Sequence, residues 1–177
     1  NISLTAALPE ILSTITIQGN GNTISRASGS GSFRILTVNS LSPYRGDLTV
    51  NNVTISGGNA AGAGGGGIAA FFSTLTVSNS TITGNTAGTL GGGILAAFSK
   101  ATISNSTLSG NTAGANGKGG GIYNAQATLT VQNSTLSGNV AVGGGGGIWT
   151  TGPATISNST LSGNRGNTGG GIYSVSA

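Results

Sequence analysis

The chain has 177 residues, of which 35 are glycine and 18 asparagine, with no His, Cys or Met and only 5% charged residues. This composition excludes collagen, because no glycine recurs at every third position. It also lacks the imidazole and thiol groups from which most catalytic bases, nucleophiles and transition-metal sites are built. Glu10 and Asp47 are the sole carboxylate side chains, so the chain does not read as an enzyme and no cofactor is expected. Arg26, Arg34, Arg45, Lys100, Lys118 and Arg165 give a net charge of +4 but are scattered. A phosphate-tracking groove needs clustered cations interleaved with aromatics, so nucleic-acid binding is not expected. No apolar run is long enough to span a membrane. The opening residue is Asn and no signal peptide is recognisable, which reads as a mature secreted product or an excised piece of a longer protein.

In chain order, residues 1–47 are irregular. They contain one degenerate unit, ITIQGNGNTIS from Ile15, which carries two extra residues. From residue 48 onward three phrases recur in fixed order: L-T-V or A-T-I, then N-S-T-[IL]-[ST]-G-N, then G-G-G-I. The first asparagine of the middle phrase falls at Asn52, Asn79, Asn105, Asn133 and Asn158, spaced by 27, 26, 28 and 25 residues. The isoleucine of the glycine phrase falls at Ile68, Ile94, Ile122, Ile148 and Ile172. One unit is therefore about 26 residues, and residues 48–177 hold five of them.

Within a unit the apolar period is two, which specifies strands rather than an amphipathic helix. In Leu75-Thr76-Val77 the outer pair points one way and the threonine the other. Three strands this short cannot bury a face alone, but coils stacked at the inter-strand spacing of about 4.8 Å can. The predicted fold is all-β: a single right-handed parallel β-helix domain over 1–177, with about six to seven coils. Its inner columns read Ile17, Val50, Val77, Ile103, Val131, Ile156 and Ile24, Ile55, Ile82, Leu108, Leu136, Leu161. Asn52, Asn79, Asn105, Asn133 and Asn158 are expected to stack as a structural amide ladder at one turn. The glycine tracts are expected to permit positive φ and close approach between coils.

The alternation of S-G-N-T-A at 109–113 with G-G-G-I-Y at 119–123 resembles the repeats of bacterial right-handed parallel β-helix surface proteins. It is similar to the G-G-A-I and F-x-x-N repeats of polymorphic outer-membrane adhesins, with Leu or Ile here where the adhesin phrase has Phe. The opening, from Leu4 to Ile11 and then Ile17 to Gly21, resembles the start of large secreted bacterial β-helix proteins. The resemblance implies an extracellular or cell-surface location and a structural or adhesive role. Polysaccharide lyases and hydrolases share the architecture, but their acidic clusters and calcium ligands have no counterpart here.

Three roles follow. Open solenoid ends expose strand edges, which favours head-to-tail self-association into a homo-oligomer or fibre. Leu95, Tyr123, Trp149 and Tyr173 follow the inward isoleucines and are expected to form an outward column, an association face or a glycan- or cell-surface-binding face unless a glycine loop covers it. Thr23, Thr54, Thr81, Thr107, Thr135 and Thr160, each with Ser or Thr two residues later, form a candidate ice-binding face, although threonine is favoured outward on any strand.

Overall fold

The computed structural model describes residues 1–40 and 46–175, so Arg45 lies outside it. Among the described residues every named element is a β-strand. A representative coil runs through Thr74–Ser78, Thr81–Thr83, Thr86–Ala87 and Ile94–Ala97, which lie on four successive faces of a solenoid. The next coil repeats them as Lys100–Ser104, Thr107–Ser109, Thr112–Ala113 and Ile122–Ala125. Successive coils pair in parallel and in register, for example Thr102 with Thr76 and Thr130, and Leu108 with Ile82 and Leu136. The third face is a two-residue strand, too short to leave a period-two signal, and was not among the three strands expected per unit.

Among the described residues five turns run through all four faces, fewer than the six to seven coils expected, because the third face has five strands. The irregular start contributes only partial coils. Its long strand, Thr14–Arg26, pairs with Asp47–Ser56 through a bulge in which residues 19–21 face the single Asn52. The two extra residues of the degenerate unit are therefore absorbed in this bulge. Asn20 and Gly21 turn through it at φ of 50° and 79°.

Both predicted inner columns line one continuous core. Val50, Val77, Ile103 and Val131 are fully buried, as are Ile55, Ile82, Leu108 and Leu136, while Ile17, Ile156 and Leu161 near the ends are partly covered. The fourth face adds Ile68, Ile94, Ile122 and Ile148, all fully buried. Burying side chains of this size stabilises by about 1.5–3 kcal/mol each. A rod of thin coils with overall apolar content of 36% can therefore still hold a dry centre.

The faces meet at one-residue corners in the left-handed region. Between the first and second faces the corner residue is Asn52, Asn79, Asn105, Asn133 or Asn158, at φ of 47–51°. Asparagine adopts this conformation at less steric cost than other residues with a Cβ. Between the second and third faces the corner is Gly84, Gly110, Gly138 or Gly163. The corners at Gly84, Gly110 and Gly138 are followed by the buried Asn85, Asn111 and Asn139, and those at Asn79, Asn105 and Asn133 by the buried Ser80, Ser106 and Ser134.

Candidate functional site

The chain turns so sharply at a corner that the backbone N–H after it has no strand partner. The sequence supplies an acceptor from the following coil instead. Asn85 N–H donates to Asn111 Oδ1 (3.1 Å), Asn111 N–H to Asn139 Oδ1 (3.0 Å) and Asn139 N–H to Asn164 Oδ1 (3.0 Å). The amides also chain to one another. Asn111 Nδ2 donates to Asn139 Oδ1 (2.9 Å) and to Ile82 O (2.9 Å), while its own Oδ1 accepts from Asn85 Nδ2 (3.0 Å). Every donor and both lone pairs of this fully buried side chain are occupied. A parallel serine ladder does the same at the other corner: Ser80 N–H donates to Ser106 Oγ (3.1 Å), Ser106 N–H to Ser134 Oγ (3.1 Å) and Ser134 N–H to Ser159 Oγ (3.1 Å).

An asparagine ladder is present, but the structure gives it to Asn85, Asn111, Asn139 and Asn164. Asn52, Asn79, Asn105, Asn133 and Asn158, the residues expected to stack, are exposed corner residues. Asn79 Nδ2 reaches Asn51 Oδ1 (2.9 Å), and no side-chain bond joins the five to each other. Two asparagines share each repeat phrase. Spacing cannot separate them, whereas the buried one is recognisable from following the corner glycine in S-G-N.

The outward column also changes meaning. Ala69, Leu95, Tyr123, Trp149 and Tyr173 are in register. Leu95 and Trp149 are only 7% exposed, and Tyr123 and Tyr173 are half-buried. The glycine loops lie over them: a Cβ at Gly64 would meet Leu95 Cδ2 at 2.9 Å, and one at Gly144 would meet the Trp149 ring at 3.1 Å. Trp149 stacks on Tyr173 with centroids 4.2 Å apart, and Lys118 Nζ lies 4.6 Å from its ring centroid. Burial pushes the Tyr123 phenol above its usual pKa. This column is a secondary core under the loops, which corrects its assignment as an open association or glycan face.

The threonine column stays outside. Thr23, Thr54, Thr81, Thr107, Thr135 and Thr160 are in strict register, half-buried except for the exposed Thr160. The Thr54, Thr81, Thr107 and Thr135 hydroxyls have no protein partner among the described residues. In the neighbouring column Ser109 Oγ donates to Thr83 Oγ1 (3.0 Å), which donates to Ser109 O (3.0 Å). No charged residue stands in either column.

The two acids lie apart in the chain, Asp47 at the start of the strand Asp47–Ser56 and Glu10 outside the strands. Asp47 Oδ1 accepts the Thr74 N–H at 2.8 Å. Glu10 faces the partly buried Arg34, whose guanidinium is pulled below its usual pKa by burial and supported in part by that carboxylate. Among the described residues no group of three His, Cys, Asp or Glu side chains could hold a metal, and no helix is long and apolar enough to cross a membrane.

No curated protein and no solved structure matches the chain. The family model described as the right handed beta helix region matches residues 11–165, in agreement with the parallel coils and stacked ladders, and the chain belongs to the right-handed β-helix family.

Proposed function

We propose that this protein is a rigid structural or adhesive rod of the extracellular surface, extended along its axis by further parallel coils, end to end with a second copy or within a larger surface protein. The observation that carries the reading is the pair of corner ladders, in which each coil caps the free N–H groups of the coil before it. A ladder of this kind is translationally repetitive, and any coil with the same corner residues can prolong it. The axial faces favour such growth. At one end a hollow of about 490 Å³ is lined by Leu8, Pro9, Leu12, Ile15 and Ile17, and at the other Ile172 is 42% exposed. The reading assigns no catalytic residue. Light scattering with negative-stain microscopy tests it: rods whose length grows with concentration support axial stacking, and a compact monomer at every concentration removes it.

A second reading rests on the register of the threonine column. Free hydroxyls repeating at about 4.8 Å on a charge-free face can order water in two dimensions, which fits an ice surface. Thermal hysteresis that is abolished by Thr107→Lys, with an unchanged melting temperature, would support this use of the face. Absence of hysteresis in the unmodified protein would leave the threonines as ordinary strand surface.

A further inference from the structure

The five corner asparagines that stand outside the buried ladder share a second property. Each opens an Asn-x-Thr triplet: Asn52-Val53-Thr54, Asn79-Ser80-Thr81, Asn105-Ser106-Thr107, Asn133-Ser134-Thr135 and Asn158-Ser159-Thr160. With any residue but proline in the middle, this triplet is an acceptor for N-linked sugar. The ladder asparagines recur as regularly but never open one, because Ala or Gly stands two residues after Asn85, Asn111, Asn139 and Asn164. The left-handed backbone does not by itself demand asparagine. The corner between the second and third faces takes it with glycine, and the corner between the fourth and first faces with the exposed Phe72 and Phe98 and with Gln126, at φ of 49–52°. The five acceptor side chains are exposed. Asn52, Asn105, Asn133 and Asn158 make no side-chain hydrogen bond among the described residues, and Asn79 makes one, to Asn51. The remaining triplet of this kind, Asn1-Ile2-Ser3, differs in that Asn1 Oδ1 accepts the Thr23 N–H at 2.9 Å.

We propose that Asn52, Asn79, Asn105, Asn133 and Asn158 are modification sites that carry N-linked sugar along one edge of the rod. In the transfer, Asn Nδ2 bonds to the anomeric carbon of a sugar-diphosphate donor held by a glycosyltransferase. The bond from that carbon to the phosphate oxygen breaks, the diphosphate leaves, and the amide gives up one proton to a base of the transferase. A ladder asparagine could not carry such a group, because its amide is enclosed between coils, whereas each corner asparagine stands in solvent. The coat answers a need of this surface. Only 5% of the residues are charged, where a soluble surface ordinarily has roughly a quarter to a third, and attached sugar is solubilising. Acceptors on successive coils are about 4.8 Å apart, closer than the width of a branched glycan, so neighbouring corners compete and occupied ones alternate. Sugars on this edge hinder lateral contact through the first and second faces and leave the axial ends open. They also stand over the Thr107 column, so a sugar coat and an ice face exclude each other. The inference rests on the extracellular part of the reading above and is independent of axial growth.

The test is peptide mass spectrometry of the whole chain recovered from its own cells and from their medium, before and after an amidase that removes N-linked sugar and leaves aspartate. The expected result is sugar on corner asparagines, none on Asn85, Asn111, Asn139 or Asn164, and aspartate at the same corners after the enzyme. Thr107→Val breaks one triplet while keeping Asn105 at its corner, and is expected to lower the sugar at Asn105 by about tenfold or more. Undiminished sugar at Asn105 in that variant overturns the proposal. Sugar-free chain in the medium also overturns it and leaves the extracellular reading standing. Chain confined to the cells and free of sugar overturns that reading together with the proposal.

Discussion

Asn105 and Asn111 are six residues apart in one repeat phrase, yet they have opposite physical roles. Asn111 is fully buried and its amide is saturated by the coils on either side. Asn111→Ala would leave the Asn85 N–H and one of the two Asn85 amide hydrogens without an acceptor, and would remove the amide bond to Ile82 O. Unsatisfied buried groups cost about 1–3 kcal/mol each, so a loss on the order of 3 kcal/mol is expected in chemical denaturation. Asn105 matters for its backbone, at φ of 48°. Asn105→Gly is expected to change stability by no more than about 0.5 kcal/mol, since glycine meets the same φ without strain. Tyr123 adds a pH signature. Its folded pKa is raised by burial, so its contribution is complete below the ordinary value of about 10 and is lost as pH rises through the higher folded value. Thermal melts at about pH 9 and about pH 11 should therefore show a larger fall for the unmodified chain than for Tyr123→Phe.

At the scale of the element, each glycine of the triplet 91–93 lies where a Cβ would meet backbone. Gly91 turns at φ of 61°. Gly92 has no positive φ, but a Cβ there would lie 2.5 Å from the backbone N, C and O of Thr112. Gly93 lies against the next coil, where a Cβ would come 2.7 Å from Gly121 O and 3.1–3.2 Å from the Asn111 amide. The triplet thus lets the loop pass against the short third face and the ladder before the chain enters the fourth face. Gly92→Ala forces backbone apart and is expected to destabilise by about 3 kcal/mol, in the upper range for overpacking. Gly110→Ala meets nothing within 4 Å and incurs only the left-handed penalty, about 1–2 kcal/mol. Comparing the two melts separates lack of space from backbone conformation. A larger loss at Gly110 would refute this division.

Across the whole molecule, stability is cooperative along one axis, because each coil touches only its neighbours. Ile122 lies in a central coil and is fully buried. Ile122→Asp places an unpaired carboxylate in the apolar column, and the variant is expected not to fold, as read by loss of the β signal in circular dichroism. Hydrogen exchange should follow the same axis. The Leu108 and Leu136 strands, covered on both sides, should protect their amides far longer than the coil from Ala154 to Ser174, where Ile172 is exposed. Uniform protection from end to end would mean that the end coils are held by contacts beyond the chain.

What the sequence determined by itself was whatever a period can encode. Alternation in Leu75-Thr76-Val77 dictated strands and their inward faces, and the recurrence of Ile94, Ile122 and Ile148 dictated parallel stacking in register, because the same residue at the same step can bury itself only against its copies. The two extra residues near Asn20 were legible as an insertion, and the structure puts them in a bulge. Tertiary structure decided the matters on which repeated residues look alike. Asn105 and Asn111 recur with equal regularity, and only the direction each side chain takes from its corner makes one a solvent-exposed turn and the other a buried ladder. Tyr123 and Trp149 alternate as outward residues, and only the path of the loop at 114–119 and 142–147 decides that outward is still covered. Phe72 and Phe98 leave no periodic signal, since Gln126 occupies the same corner in the following coil. Their exposure follows from a left-handed backbone that carries the side chain off the face and into solvent.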